Sequence, residues 1–221
     1  APCECCCFYC SLVKFVCCYG WARSKQAIAG GQYEYPTGLF YGGESLEAGP
    51  RMLVDALEKL GLRKSNAKLD RVLHVDVHTG LGPFGVDTLL YMDDALLEPL
   101  RSIFGKEHVN ELAPDQYKVE GSADYVAQKL LADAPSSPTV VSVCQEFGTV
   151  GNIPVLRAMM AENVEWNAER TTPPTHPTKR ALRAVFCPDG DQWKEMILSR
   201  GKVVLEQSLG WLGLVMHTPM H

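Results

Sequence analysis

An α/β fold is predicted for this chain by three features. Two strand-like runs lie at residues 71–80 and 139–148, amphipathic helical patterns stand before, between and after them, and 46% of the 221 residues are hydrophobic, enough to build a core. The length suits one domain or a large part of one.

The elements follow in order. Pro50 at a helix start, Leu53, Leu57 and Leu60 on one face and Gly61 as C-cap predict the first helix. Residues 71–80, RVLHVDVHTG, alternate as a strand that opens into the loop Thr79-Gly80-Leu81-Gly82-Pro83. Asp93-Asp94 opens a second helix with Leu96, Leu97, Leu100 and Ile103, and Pro99 calls for a kink or a late start. Val126, Leu130 and Leu131 mark a third, which leads through Pro135-Ser-Ser-Pro138 into the strand 139–148. Asn152 caps a fourth, with Pro154 inside it and Leu156, Met159 and Met160 inward. The run TTPPTHPT at 171–178 reads as a loop in which His176 is solvated rather than a ligand. Asp191 begins a long last helix carrying Trp193, Ile197, Val204 and Leu205.

Both strands carry polar side chains that ask for a partner. In the first, Leu73, Val75 and Val77 take the core face while His74, Asp76 and His78 share the other. Such a strand end is where open α/β sheets put ligand chemistry, and the glycines admit a close backbone approach. By itself the pattern also fits a His78 that merely bonds a loop carbonyl. In the second strand Ser142, Cys144 and Glu146 share a face opposite Val141, Val143 and Phe147. A buried, ionised Glu146 needs a cation, a hydrogen-bond network or a metal-bound water, whereas at a fraying end it would be a surface carboxylate.

Three blocks in order carry a resemblance: Gly31-Gln32-Tyr33 with Pro36-Thr37-Gly38-Leu39-Phe40-Tyr41-Gly42-Gly43, then Val75 to Gly85 (VDVHTGLGPFG), then Glu146-Phe147-Gly148-Thr149. Over roughly residues 22–210 the chain resembles a family of unknown function in the zinc carboxypeptidase superfamily, whose relatives are the succinylglutamate desuccinylases and aspartoacylases. The resemblance implies a three-layer carboxypeptidase-like fold with a mixed sheet. It also implies a one-zinc metallopeptidase-like or deacylase-like hydrolase acting on an amide bond of a small acyl-amino acid or peptide. His78 then matches the third zinc ligand, Asp76 stands behind it to orient it, and Glu146 matches the catalytic glutamate that moves a proton from the attacking water to the leaving amine.

The resemblance also implies an HxxE zinc pair and an arginine for a substrate carboxylate ahead of these blocks, and neither has a counterpart upstream of Gly20. The HxxE that is present, His108-Val109-Asn110-Glu111, follows the third ligand and reads as a solvated turn. The fold is therefore expected to be cut on its N-terminal side, with zinc bound weakly or not at all and this chain inactive. A pseudoenzyme or interaction fragment that keeps the scaffold is the alternative. No substrate-binding residue is named.

Residues 1–21 stand apart from 22–221. They hold seven of the nine cysteines and look artefactual or disordered, as replaced coding sequence would. A lipid-modified anchor is the second reading, although the apolar run 8–19 is too short to span a bilayer. Metal binding is the third, with only Cys7 and Cys10 at CxxC spacing among Cys3, Cys5, Cys6, Cys7 and Cys10. Cys144 and Cys187 are isolated, Cys144 as a core residue. The absence of a disulfide framework predicts a cytoplasmic setting. A net charge of −5 without a basic patch excludes a nucleic-acid footprint.

Overall fold

The computed structural model describes residues 4–62, 69–110, 119, 122–132 and 138–214, in two units: Ala1–Ser45 with Leu112–Glu120, and Leu46–Glu111 with Gly121–His221. In the first, helices α1 (Glu4–Tyr19) and α2 (Trp21–Ala29) pack together across Gly20, whose φ of 79° makes the bend. The cysteine-rich head is thus helical over residues 4–19, where composition suggested disorder. A run rich in cysteine and aromatic residues can hold a helix through (i, i+4) contacts such as Phe15 with Tyr19, ring centroids 4.9 Å apart. Cys10, Cys17 and Cys18 are exposed on it. After α2, Gln32 clasps its own loop: Oε1 accepts from the backbone N–H groups of Glu34 and Tyr35, and Nε2 donates to the carbonyls of Tyr35 and Leu39.

The second unit is built on a three-stranded mixed sheet of order β1-β3-β2, from β1 (Arg71–Phe84), β2 (Asp87–Leu90) and β3 (Thr139–Gly148). β3 is central, parallel to β1 and antiparallel to β2. Helix α3 (Ala48–Lys59) precedes the sheet and ends as its leucines and glycine predict. Gly61, at φ 71°, donates to the Glu58 carbonyl while Leu62 donates to that of Leu57, closing the last turn. Leu57 is buried but Leu60 faces solvent. A 3₁₀ turn (Asp94–Leu96), capped by the Asp93 carboxylate on the Ala95 N–H, feeds α4 (Leu97–Phe104), so Pro99 falls in the first turn of a late-starting helix. α5 (Ala123–Ala132) packs on β3 and β1 through buried Ala127 and Leu131. The connection through residues 133–137 lies outside the described residues.

Three expectations change beyond the sheet. α6 (Asn152–Ala168) is N-capped by Gly151, not by Asn152, and turns Val155 and Ala158 inward while Met160 is exposed. Its apolar residues lie on all sides, so periodicity could not pick the buried face. The TTPPTHPT run is a loop through His176, and its last two residues enter a helix that the pattern did not show: Pro177 starts α7 (Pro177–Phe186), and half-buried His176 is its N-cap, with Nδ1 2.8 Å from Thr178 Oγ1 and Nε2 3.6 Å from Glu165. α8 (Asp191–Trp211) buries Trp193, Val204 and Ser208, and leaves Leu205 exposed.

α8 is tied to the sheet by a partly buried polar cluster. Arg200 Nε donates to both Asp87 oxygens at 2.9 and 3.0 Å, and Gln145 Nε2 donates to Asp87 Oδ2 at 2.8 Å. Arg200 Nη2 is buried without a hydrogen-bond partner, so the cluster is held by geometry with little surplus. Removing one ion of a buried pair leaves the other uncompensated, so Arg200→Ala is expected to cost about 3 kcal/mol in chemical denaturation. The double change Asp87→Leu with Arg200→Met should recover most of that loss. A double variant no more stable than Arg200→Ala would refute the electrostatic account.

Candidate active site

The site begins with register. His74 pairs with Ser142, Asp76 with Cys144 and His78 with Glu146, so the polar faces of β1 and β3 become one surface. Two neighbouring parallel strands with the same alternation stack like on like. The core face is less regular. Leu73 and Val75 are half-buried, but Val77 is 61% exposed, against expectation. β1 is at the sheet's edge among the described residues, and alternation along a strand cannot tell an edge from a centre.

The glycine-rich segment after His78 is not a free loop. β1 continues to Phe84 through a bulge, with Gly80 and Phe84 both opposite Gly148. Gly148 is crossed on all sides: its N–H donates to the Val86 carbonyl, and its carbonyl accepts from Gly85 N–H and from Trp193 Nε1, each at 2.9 Å. Thr149 Oγ1 donates to the Gly80 carbonyl and Thr79 Oγ1 to that of Phe186, which pins α7 beside the strand end.

Within this frame Asp76 Oδ2 lies 2.9 Å from His78 Nε2. That contact and the positive potential of His78 and His74 hold the Asp76 carboxyl below its ordinary range against the opposing effect of burial. With Asp76 ionised and accepting from Nε2–H, an imidazole that binds a metal would do so through the Nδ1 lone pair. Nδ1 is 3.9 Å from Glu146 Oε2, too long for a hydrogen bond. Glu146 is only 8% exposed. Its Oε1 accepts from the Leu81 N–H at 2.9 Å, which leaves Oε2 on the His78 side. Burial pushes the Glu146 carboxyl above its usual value, and the Leu81 hydrogen bond and His78 only partly offset this.

The sign of that shift sets a stability prediction. A raised folded-state pKa means that stability falls as pH rises from the unfolded carboxylate value through the folded one, because the native state holds the proton longer. Glu146→Gln keeps an acceptor for Leu81 and removes the buried charge. It is expected to raise the melting temperature at pH 7 by a few degrees, with the gain vanishing on acidification to the ordinary carboxylate range. Asp76 acts oppositely: its contribution is present above the ordinary Asp value and is lost as pH falls through its depressed one. A gain from Glu146→Gln that is constant across pH would sink the burial argument.

The arrangement brings together His78, Asp76 and Glu146, and adds Cys144, which the sequence assigned to the core. One donor atom from each of His78, Cys144 and Glu146 lies within 4.8 Å of the others. Imidazole, thiol and carboxylate form a donor set that suits zinc, so these residues fit the implied metal. The signal for Cys144 was its same-face spacing two residues before Glu146. Of the HxxE segment, His108 lies in a turn beside Glu107, and Glu111 is outside the described residues. The side chains of Cys3, Cys5, Cys6 and Cys7 are outside them as well.

A family pattern described as a protein of unknown function (DUF2817) matches residues 5–200. The chain belongs to the DUF2817 family. The matched span takes in residues 5–21, which composition had set apart. No curated protein and no solved structure matches the chain. Among the described residues no helix is long and apolar enough to cross a membrane.

Proposed function

We propose that the chain carries His78, Asp76 and Glu146 of the hydrolytic site of a zinc carboxypeptidase-like domain whose reaction is cleavage of an amide bond in a small acyl-amino acid or peptide, and that turnover by this chain, which lacks the upstream HxxE pair, is weak or absent. The observation that carries this reading is the register pairing of His78, midway along β1, with Glu146, near the end of the neighbouring parallel strand β3, with Asp76 behind the imidazole. Zinc, held by His78, would supply Lewis-acid chemistry that polarises the scissile carbonyl and acidifies water.

The chain's own residues supply the proton traffic. Asp76 fixes the His78 tautomer and ring orientation. Glu146, with Oε1 held by the Leu81 N–H, uses Oε2 to take a proton from the attacking water and deliver it to the leaving amine nitrogen. A carboxyl raised by burial is the stronger base for the first transfer and keeps the proton for the second. The second reading is a pseudoenzyme that keeps this scaffold, and it is favoured by His78 being the one histidine in the donor cluster among the described residues. Hydrolysis of N-acyl amino acids and short peptides, followed with metal content, separates the two. Zinc-dependent turnover supports the enzyme, and zinc-independent hydrolysis overturns it.

A further inference from the structure

We propose that Cys144 is a metal ligand, acting with His78 to hold a borderline divalent cation beside Glu146. The inference rests on the zinc-hydrolase reading and deepens it, because it names the second donor that His78 lacks.

Strand geometry carries the argument. Cys144 precedes Glu146 by two residues on the same face of β3, and its register partner across the ladder is Asp76, the residue that orients His78. Its sulfur therefore lies on the imidazole's side of the sheet, within 4.8 Å of the His78 and Glu146 donor atoms. Zinc bonds of about 2.0–2.3 Å place tetrahedral donors about 3.3–3.8 Å apart, so side-chain shifts of about 1 Å close the set. β3 is the central strand and Cys144 is buried, so the sulfur is held by a rigid element. Binding exchanges the S–H bond for a metal–sulfur bond, and the proton leaves to solvent. A thiolate biases the site towards zinc, cadmium and cobalt and against magnesium and calcium. Two ligands beside a carboxylate give weaker binding than a closed four-ligand structural site, with positions left for water and substrate.

The test is titration of the full chain with cobalt(II) chloride, read by the near-ultraviolet thiolate-to-cobalt band. The seven cysteines of residues 1–21 are other thiol sources, so the titration is repeated in a full-length variant with all seven changed to Ser. The band is expected in both proteins and is expected to be lost in Cys144→Ser and in His78→Ala, with folding checked by circular dichroism. A wild-type measurement needs no variant: zinc should slow alkylation at Cys144, read by mass spectrometry of that peptide. A band that survives Cys144→Ser, its absence from the wild type, or alkylation indifferent to zinc overturns the proposal. Zinc-dependent hydrolysis without any thiolate band would remove Cys144 and leave the hydrolase reading. A Cys144-dependent band without hydrolysis would do the reverse.

Discussion

In a form of the domain supplied with the HxxE zinc pair, replacing Glu146 with Gln is expected to lower turnover by about 10²–10⁴-fold while bound zinc is retained. Gln keeps the shape and the acceptor that Leu81 uses, but an amide cannot take the water's proton. His78→Ala should instead lose metal and activity together, because the proposed site uses the imidazole as its ligand and its removal also strands the Asp76 carboxylate. Assays of both variants with metal content measured in parallel separate base from ligand. Near-wild-type turnover in Glu146→Gln would remove the general-base role, and full zinc occupancy in His78→Ala would remove the ligand role. The same Gln substitution should stabilise the fold at neutral pH, so a loss of activity cannot be put down to unfolding.

The largest structural effect is expected at Gly148, where a Cβ would overlap the carbonyl of Pro83 and the backbone of Gly82. No flexible side chain can yield there, because the bulge of β1 is held around Gly148 by hydrogen bonds from Gly85 and Trp193 and to Val86. Gly148→Ala is expected to lower the melting temperature by about 10 °C or more, or to prevent folding, as backbone overlap in a core exceeds ordinary overpacking. Gly151→Ala is the comparison. Its φ of 93° strains the backbone, but no atom lies within 4 Å of the added methyl, so its loss should be smaller. Gly148 itself has no left-handed φ, so a loss at Gly148 no larger than that at Gly151 would overturn the overlap argument.

The sequence by itself determined the local elements and the faces of the two main strands. Period-two alternation assigns His74, Asp76 and His78 to one side of β1 and Ser142, Cys144 and Glu146 to one side of β3, because consecutive Cβ atoms must point oppositely. Gly61 and Asp93 marked helix ends, since left-handed backbone and orphan N–H groups call for those residue types. Four-residue β2 was missed for want of enough residues to show a period, and α7 was hidden by the prolines and threonines that precede it. The inward faces of α6 and the exposure of Val77 were not legible, because burial depends on what a neighbour covers.

Only the tertiary structure decided the site as a unit. Alternation says which side of a strand a residue takes and nothing of which strand lies beside it or at what register. The parallel pairing with Asp76 opposite Cys144 and His78 opposite Glu146 turned two separate patterns into one cluster and drew a presumed core thiol into it. The partly buried Arg200–Asp87–Gln145 cluster and the crossing at Gly148 likewise join residues far apart in the chain. Such contacts are set by packing in three dimensions, whereas a strand's two faces are set by the covalent geometry of the chain.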